Sequence, residues 1–209
     1  MTPVELRALL ARERLVGIVR GPDPDRLVDC LRALAAGGLR LVEVSLTSGD
    51  AIDVIKRTAA ELGDRLVLGA GTVLDADQAV AAVEAGARYV VTPVHGPGVE
   101  LCLERDVPVL VGALTPTEIY AAHSRGATAV KVFPASVGGP GYVKALRDPF
   151  PAIPLVPVGG VDAAAATEYL AAGALAVGVG SPLLGDAPTG GDLDALAARA
   201  TEFRAAVRQ

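Results

Sequence analysis

The stretch "TAVKVFPAS" (128–136) sets a lysine, Lys131, among Val130, Val132 and Phe133, and Pro134 closes the run. Of the 19 lysine and arginine residues only three are lysines, Lys56, Lys131 and Lys144, so arginine serves almost wherever a plain positive charge is enough. A lysine at an apolar strand position therefore points to something arginine cannot do. Arginine stays protonated, whereas a desolvated amine can lose its proton and become a nucleophile. Such an amine attacks a ketone to form an iminium, an electron sink for cleaving the bond beyond the adjacent carbon.

The carboxyl that could move the protons is Glu43, in "VEVSLTS" (42–48). It would serve the carbinolamine water, the enamine carbon and the aldol hydroxyl in turn. One lysine and one carboxylate are enough for this chemistry, and no metal is required. The two histidines (His95, His123) and two cysteines (Cys30, Cys102) form no local metal-binding spacing. The competing reading is a buried structural ion pair, which desolvation makes a weak source of stability.

Elements must bring these residues together. Short β-branched runs alternate with alanine-rich amphipathic stretches from end to end. The candidate strands are Leu15–Arg20, Leu39–Leu46, Leu66–Val73, Tyr89–Pro93, Pro108–Leu114, Ala129–Ala135, Pro154–Gly160 and Ala176–Leu183. Helices between them carry start signals, among them Asp23-Pro24 and the capping box Thr115-Pro116-Thr117-Glu118. "GDAPTGGD" (185–192) reads as a surface loop before a last helix. Nothing linker-like divides the chain. Eight such strands alternating with helices predict an α/β fold over 1–209 as one domain: a (β/α)8 TIM barrel with an extra N-terminal helix. Four repeats, "AGGLRLVEV", "AGARYVV", "RGATAVKVF" and "AGALAVGVG", end a helix on glycine and enter a strand. Five residues past Gly38, Gly86, Gly126 and Gly173 come Glu43, Val91, Lys131 and Gly178. Alternate strands fill one interior layer of such a barrel, so this register predicts that Glu43 and Lys131 meet inside it.

Two further stretches read as anion sites. "PVGGVD" (157–162) ends strand seven in Gly159-Gly160 before a helix capped by Asp162, and "GVGSP" (178–182) ends strand eight in Gly180-Ser181. Loops after strands seven and eight, with free N–H groups at a helix start, are the common phosphate position of this fold. Each glycine pair taken alone is also ordinary turn chemistry. Thr72, in "LGAGTV" (68–73), lines the expected pocket, and Arg20 ends strand one, placed to hold a carboxylate or phosphate or simply to face solvent. His95 reads as a solvated loop residue and His123 as an exposed helical one. Cys30 and Cys102 read as small core residues.

Bulk properties narrow the class. The chain is 51% hydrophobic with a net charge of −5, no basic cluster and few aromatics, which argues against a nucleic-acid partner. Charges crowd the first 20 residues, leaving no apolar signal core. The longest uncharged run, Tyr169–Gly185, is broken by four glycines and a proline, so no membrane partner is expected. These traits read as a reduced, cytoplasmic, soluble protein acting on a small molecule.

Taken together, "LVGIVRG" (15–21), "VEVSLTS", "GAGTVL" (69–74), "VTP" (91–93), "TPTE" (115–118), "VKVFPAS" and "PVGGV" (157–161) resemble a known family: the class I aldolases of 2-keto-3-deoxy-6-phosphogluconate, 2-keto-3-deoxy-6-phosphogalactonate and 4-hydroxy-2-oxoglutarate. The resemblance implies a trimeric (β/α)8 barrel with no cofactor, cleaving its substrate reversibly to pyruvate and an aldehyde. That aldehyde is glyceraldehyde 3-phosphate for the two phosphosugar acids. It implies Lys131 as the Schiff-base lysine and Glu43 as the proton shuttle. Arg20, Thr47, Thr72, Pro93 and Phe133 fall at its substrate-binding positions, and Gly159, Gly160, Gly180 and Ser181 at its phosphate site. Departures touch the active face. Thr47 stands where gluconate-type members carry arginine and galactonate-type members a small polar residue, "VGAL" (111–114) lacks a proline, and "TPVHG" lacks glycine or asparagine after its proline. A decarboxylase using the same lysine, a phosphosugar isomerase with Glu43 as base, and a non-catalytic barrel binding a phosphosugar acid are the alternative readings.

Overall fold

In the computed structural model, which describes residues 1–208, strand and helix alternate from Leu15 onward. The order is α1 (Pro3–Glu13), β1 (Leu15–Val19), α2 (Pro24–Ala36), β2 (Leu41–Ser45), α3 (Ala51–Leu62), β3 (Val67–Gly71), α4 (Ala76–Glu84) and β4 (Tyr89–Val91). There follow α5 (Pro97–Glu104), β5 (Val109–Ala113), α6 (Pro116–Ser124), β6 (Ala129–Val132) and α7 (Gly139–Arg147). Last come β7 (Leu155–Pro157), α8 (Ala163–Ala171), β8 (Val177–Val179), the short α9 (Ser181–Leu184) and α10 (Leu193–Ala206). All strands pair in parallel in the order β7-β6-β5-β4-β3-β2-β1-β8, and a bridge between Val158 and Gly178 brings the two edges together. The result is the (β/α)8 barrel, preceded by an extra helix.

Strand alternation sorts the side chains into two cores. Val42, Val44, Val130 and Val132 point outward, packed beneath the helices. Their neighbours Glu43 and Lys131 therefore point inward, beside an interior cluster that includes Val91, Leu110, Val156 and Val158. Helix α1 belongs to the inner cluster. Thr2 and Glu5 close a capping box at its start, and Leu6, Leu9 and Leu10 are buried with Val16, Leu41 and Val67. It plugs the N-terminal end of the barrel, leaving the C-terminal end open. The start signals of α2, α6 and α8 act as read: Asp23, Thr115 with Glu118, and Asp162 cap them.

The strands end earlier than the apolar runs. Leu15–Arg20 stops at Val19, Leu66–Val73 at Gly71, Tyr89–Pro93 at Val91 and Ala176–Leu183 at Val179, after which Ser181–Leu184 is helical. The residues beyond the strands stay buried, as Val73, Thr92 and Leu183 do, and Val73 and Thr92 still donate a last backbone hydrogen bond to the neighbouring strands, to the Val91 and Leu110 carbonyls. Hydrophobicity there reports loops folded over the barrel mouth rather than strand. Likewise, the 185–192 segment is not simply a surface loop: Ala187 and Pro188 are buried, and the Arg26 Nε on α2 donates to the Ala187 carbonyl at 2.7 Å. His123 is half-buried rather than exposed, because α6 turns part of its ring inward.

Candidate active site

Lys131 Nζ and Glu43 Oε1 lie 3.9 Å apart inside the barrel, with Lys131 6% and Glu43 3% exposed. They come from opposite strands, as the repeat register predicts. Room for them is made by absent side chains. A Cβ on Gly71 would fall 2.5 Å from Glu43 Oε1, and one on Gly178 would meet Val158 Cγ2 at 2.7 Å. Burial raises the Glu43 carboxyl above its ordinary value, and the charges of Lys131 and Arg20 oppose that rise without cancelling it.

Phe133 lies against Lys131. Its ring centroid is 5.4 Å from Lys131 Nζ, its outer face is 43% exposed, and it leans on the bare Gly159. Two clefts open at the C-terminal face with Phe133 on the wall of both. One, of about 340 Å³, brings together Arg20, Gly159, Gly160, Gly180 and Ser181, all five anion-site candidates. Gly159 and Gly160 sit at φ +99° and +74°, the left-handed region that glycine tolerates, and their N–H groups have no hydrogen-bond partner among the described residues. Arg20 forms no ion pair among the described residues, and its charge reaches Glu43. The other cleft, of about 520 Å³, is walled by Pro93, His95, Leu114 and Arg125. His95 is engaged there, 3.4 Å from Glu100 and within 3.3 Å of Arg125, rather than simply solvated.

Thr47 and Thr72 lie apart from both clefts, at the ends of β2 and β3. A residue that the sequence reading passed over joins them. Ser45, fully buried, shares hydrogen bonds with Thr47 Oγ1 at 2.8 Å and Thr72 Oγ1 at 3.0 Å. Its spacing of two from Glu43 was the available signal, since alternate residues of a strand share a face. Thr72 sits at φ +62°, a strained position for a β-branched residue that costs of order 1–3 kcal/mol. Tyr89, also unmarked by the sequence, is buried inside the barrel with its hydroxyl unpartnered among the described residues.

An amine and a carboxyl held together in the buried interior of the barrel, beside a cleft of unsatisfied backbone N–H groups, can condense with a ketone and move protons. Comparison with known proteins agrees. Residues 6–198 match the family described as KDPG and KHG aldolase. The chain belongs to that family. A 2-dehydro-3-deoxy-phosphogluconate aldolase of Pseudomonas aeruginosa is 43% identical over 154 residues, covering 70% of this chain and 69% of the relative. A 2-dehydro-3-deoxy-6-phosphogalactonate aldolase of Escherichia coli is 34% identical over 171 residues, covering 81% and 83%. Among solved structures, the KDPG aldolase of Legionella pneumophila superposes with a TM-score of 0.87 at 25% identity, over 96% of this chain and 97% of that one. That structure holds pyruvate captured at low pH as a covalent carbinolamine intermediate. Like its KDPG and KHG relatives, this chain is an aldolase, hence a lyase.

Proposed function

We propose that this member of the KDPG and KHG aldolase family cleaves a 2-keto-3-deoxy-6-phospho sugar acid, of the phosphogluconate or phosphogalactonate type, to pyruvate and glyceraldehyde 3-phosphate. The observation that carries the reading is the buried Lys131–Glu43 pair, 3.9 Å apart beside the Arg20 cleft. The Lys131 amine adds to the C2 ketone, and the protonated Glu43 carboxyl gives its proton to the carbinolamine hydroxyl, which leaves as water to give an iminium and the Glu43 carboxylate. Glu43 takes the proton of the C4 hydroxyl as the C3–C4 bond breaks, releasing the aldehyde and leaving an enamine. The same carboxyl returns the proton to C3, and water hydrolyses the iminium to free pyruvate and amine. Each step is proton-neutral overall and runs in reverse for condensation.

The remaining residues take supporting roles. Phe133 and Pro93 wall the substrate, and Thr72 with Thr47, linked through Ser45, meets its pyruvyl end. Gly159, Gly160, Gly180 and Ser181 hold the phosphate on backbone N–H groups, with Arg20 adding charge. Single-domain organisation, a cytoplasmic setting and a homotrimer belong to the same proposal. Among the described residues no helix is long and apolar enough to cross a membrane.

The test is pyruvate release from 2-keto-3-deoxy-6-phosphogluconate, its galactonate epimer and 4-hydroxy-2-oxoglutarate, measured side by side. Preference for either phosphorylated substrate supports the assignment. Preference for hydroxyoxoglutarate makes the cleft something other than a phosphate site, and carbon dioxide release without aldehyde makes the enzyme a decarboxylase. Binding without turnover leaves a non-catalytic barrel.

A further inference from the structure

Tyr89 opens β4, and its side chain lies wholly inside the barrel, 0% exposed. Its hydroxyl has no hydrogen-bond partner among the described residues. Unpaired buried hydroxyls are uncommon because they have given up water for nothing, and phenylalanine would fill the same space without that loss. The ring lies over Gly69, where a Cβ would collide with it, and Glu43 Oε1 lies over Gly71. Gly69 and Gly71 are alternate residues of β3 facing the same interior, about 6.6 Å apart along the strand. Gly69 pairs with Glu43 on one side and with Tyr89 on the other. The phenol thus occupies the interior position below the carboxyl, close enough to Glu43 for the charge of the carboxylate to act on it.

The resting carboxyl faces the Lys131 nitrogen at 3.9 Å, which even as a free amine carries two N–H donors. Once the nitrogen has joined a substrate carbon as an iminium, it keeps one. The buried carboxylate then faces fewer donors just when it must accept a proton in a defined direction, and the idle hydroxyl feels its charge. We propose that Tyr89 is a positioning residue for Glu43: its hydroxyl donates to the Glu43 carboxylate after substrate has taken up the Lys131 nitrogen. The inference rests on the Schiff-base reading above. Burial and the nearby Glu43 charge hold the phenol well above its ordinary value, so it keeps its proton and serves as a donor throughout. The other charged groups acting on Glu43 are Lys131 from β6 and Arg20 after β1. The interior residues Gly71 of β3, Leu110 of β5, Gly178 of β8 and Val158, just after β7, carry no charge.

The test is Tyr89→Phe, compared with the unaltered enzyme in pH profiles of kcat and of kcat/KM on one substrate, with a thermal melt and pyruvate–borohydride trapping of both proteins. Loss of a donor to the carboxylate raises its proton affinity in the bound complex. The acid limb of kcat therefore moves up by about half a pH unit or more, and kcat near neutrality falls at least roughly threefold. The acid limb of kcat/KM, which reports the free enzyme, stays in place, and KM changes little. The melting temperature is unchanged or higher. Superposable kcat profiles in two proteins that both trap pyruvate would overturn the role of Tyr89 and leave the aldolase standing. Failure of the unaltered enzyme to trap pyruvate would remove the Schiff-base reading and this inference with it. A lower melting temperature in the variant would mean that the hydroxyl has a structural partner at rest, which also overturns the proposal.

Discussion

At the scale of single residues, the site depends on one carboxyl kept from solvent. Burial raises Glu43 above the ordinary 4.5, so its proton-accepting form appears only at higher pH. The acid limb of kcat/KM is therefore expected above pH 4.5, measured by initial rates across a pH series. In Glu43→Gln that limb disappears and activity falls about 10²–10⁴-fold. The sign for stability follows from the same shift. A group whose folded value is raised stabilises the fold below its unfolded value and loses that contribution as pH rises through the folded one. Chemical denaturation should show this decline in the native protein and not in the glutamine variant. Lys131 was legible in the sequence because lysine is scarce and the strand apolar. Ser45 and Tyr89 were not, since a hydroxyl in a strand is common and what marks these two is their neighbours.

At the scale of elements, the barrel positions the pair by leaving side chains out. Gly71 has no left-handed backbone angle, so alanine there is tolerated by the backbone, and the nearest atoms an added Cβ meets belong to Glu43, 2.5 Å away. Gly71→Ala should cost about 1–3 kcal/mol from overpacking. Displacing the carboxyl by about 1 Å should lower kcat on the order of 10²-fold. A variant as active as the native enzyme would mean that Glu43 has freedom to move aside without penalty. The helix caps at Asp23, Thr115 and Asp162 and the order of all eight strands could be read in advance, because capping chemistry and alternation are local. Strand ends could not. Val73, Thr92 and Leu183 look like strand because they are buried, and they are buried because the loops fold back over the mouth.

At the scale of the whole molecule, the barrel is closed below and open above, and the two ends have separate duties. The floor is α1, whose Leu6, Leu9 and Leu10 pack against the barrel interior far from the clefts. Leu10→Ala should cost roughly 2–5 kcal/mol, a fall of about 5–15 °C in Tm by scanning calorimetry, with the reaction at Lys131 retained while the fold persists. Unchanged stability would mean that α1 is not the floor. The extra helix was visible in the sequence as an element before the first strand, but its role as a plug was not, because that depends on which end it meets. The central claim is covalent and can be weighed directly. Intact-mass spectrometry after incubation with pyruvate and borohydride, followed by peptide mapping, should find one reduced pyruvate per chain, on Lys131 and absent from Lys131→Arg. A folded protein that gains no mass, or gains it on Lys56 or Lys144, would contradict the account.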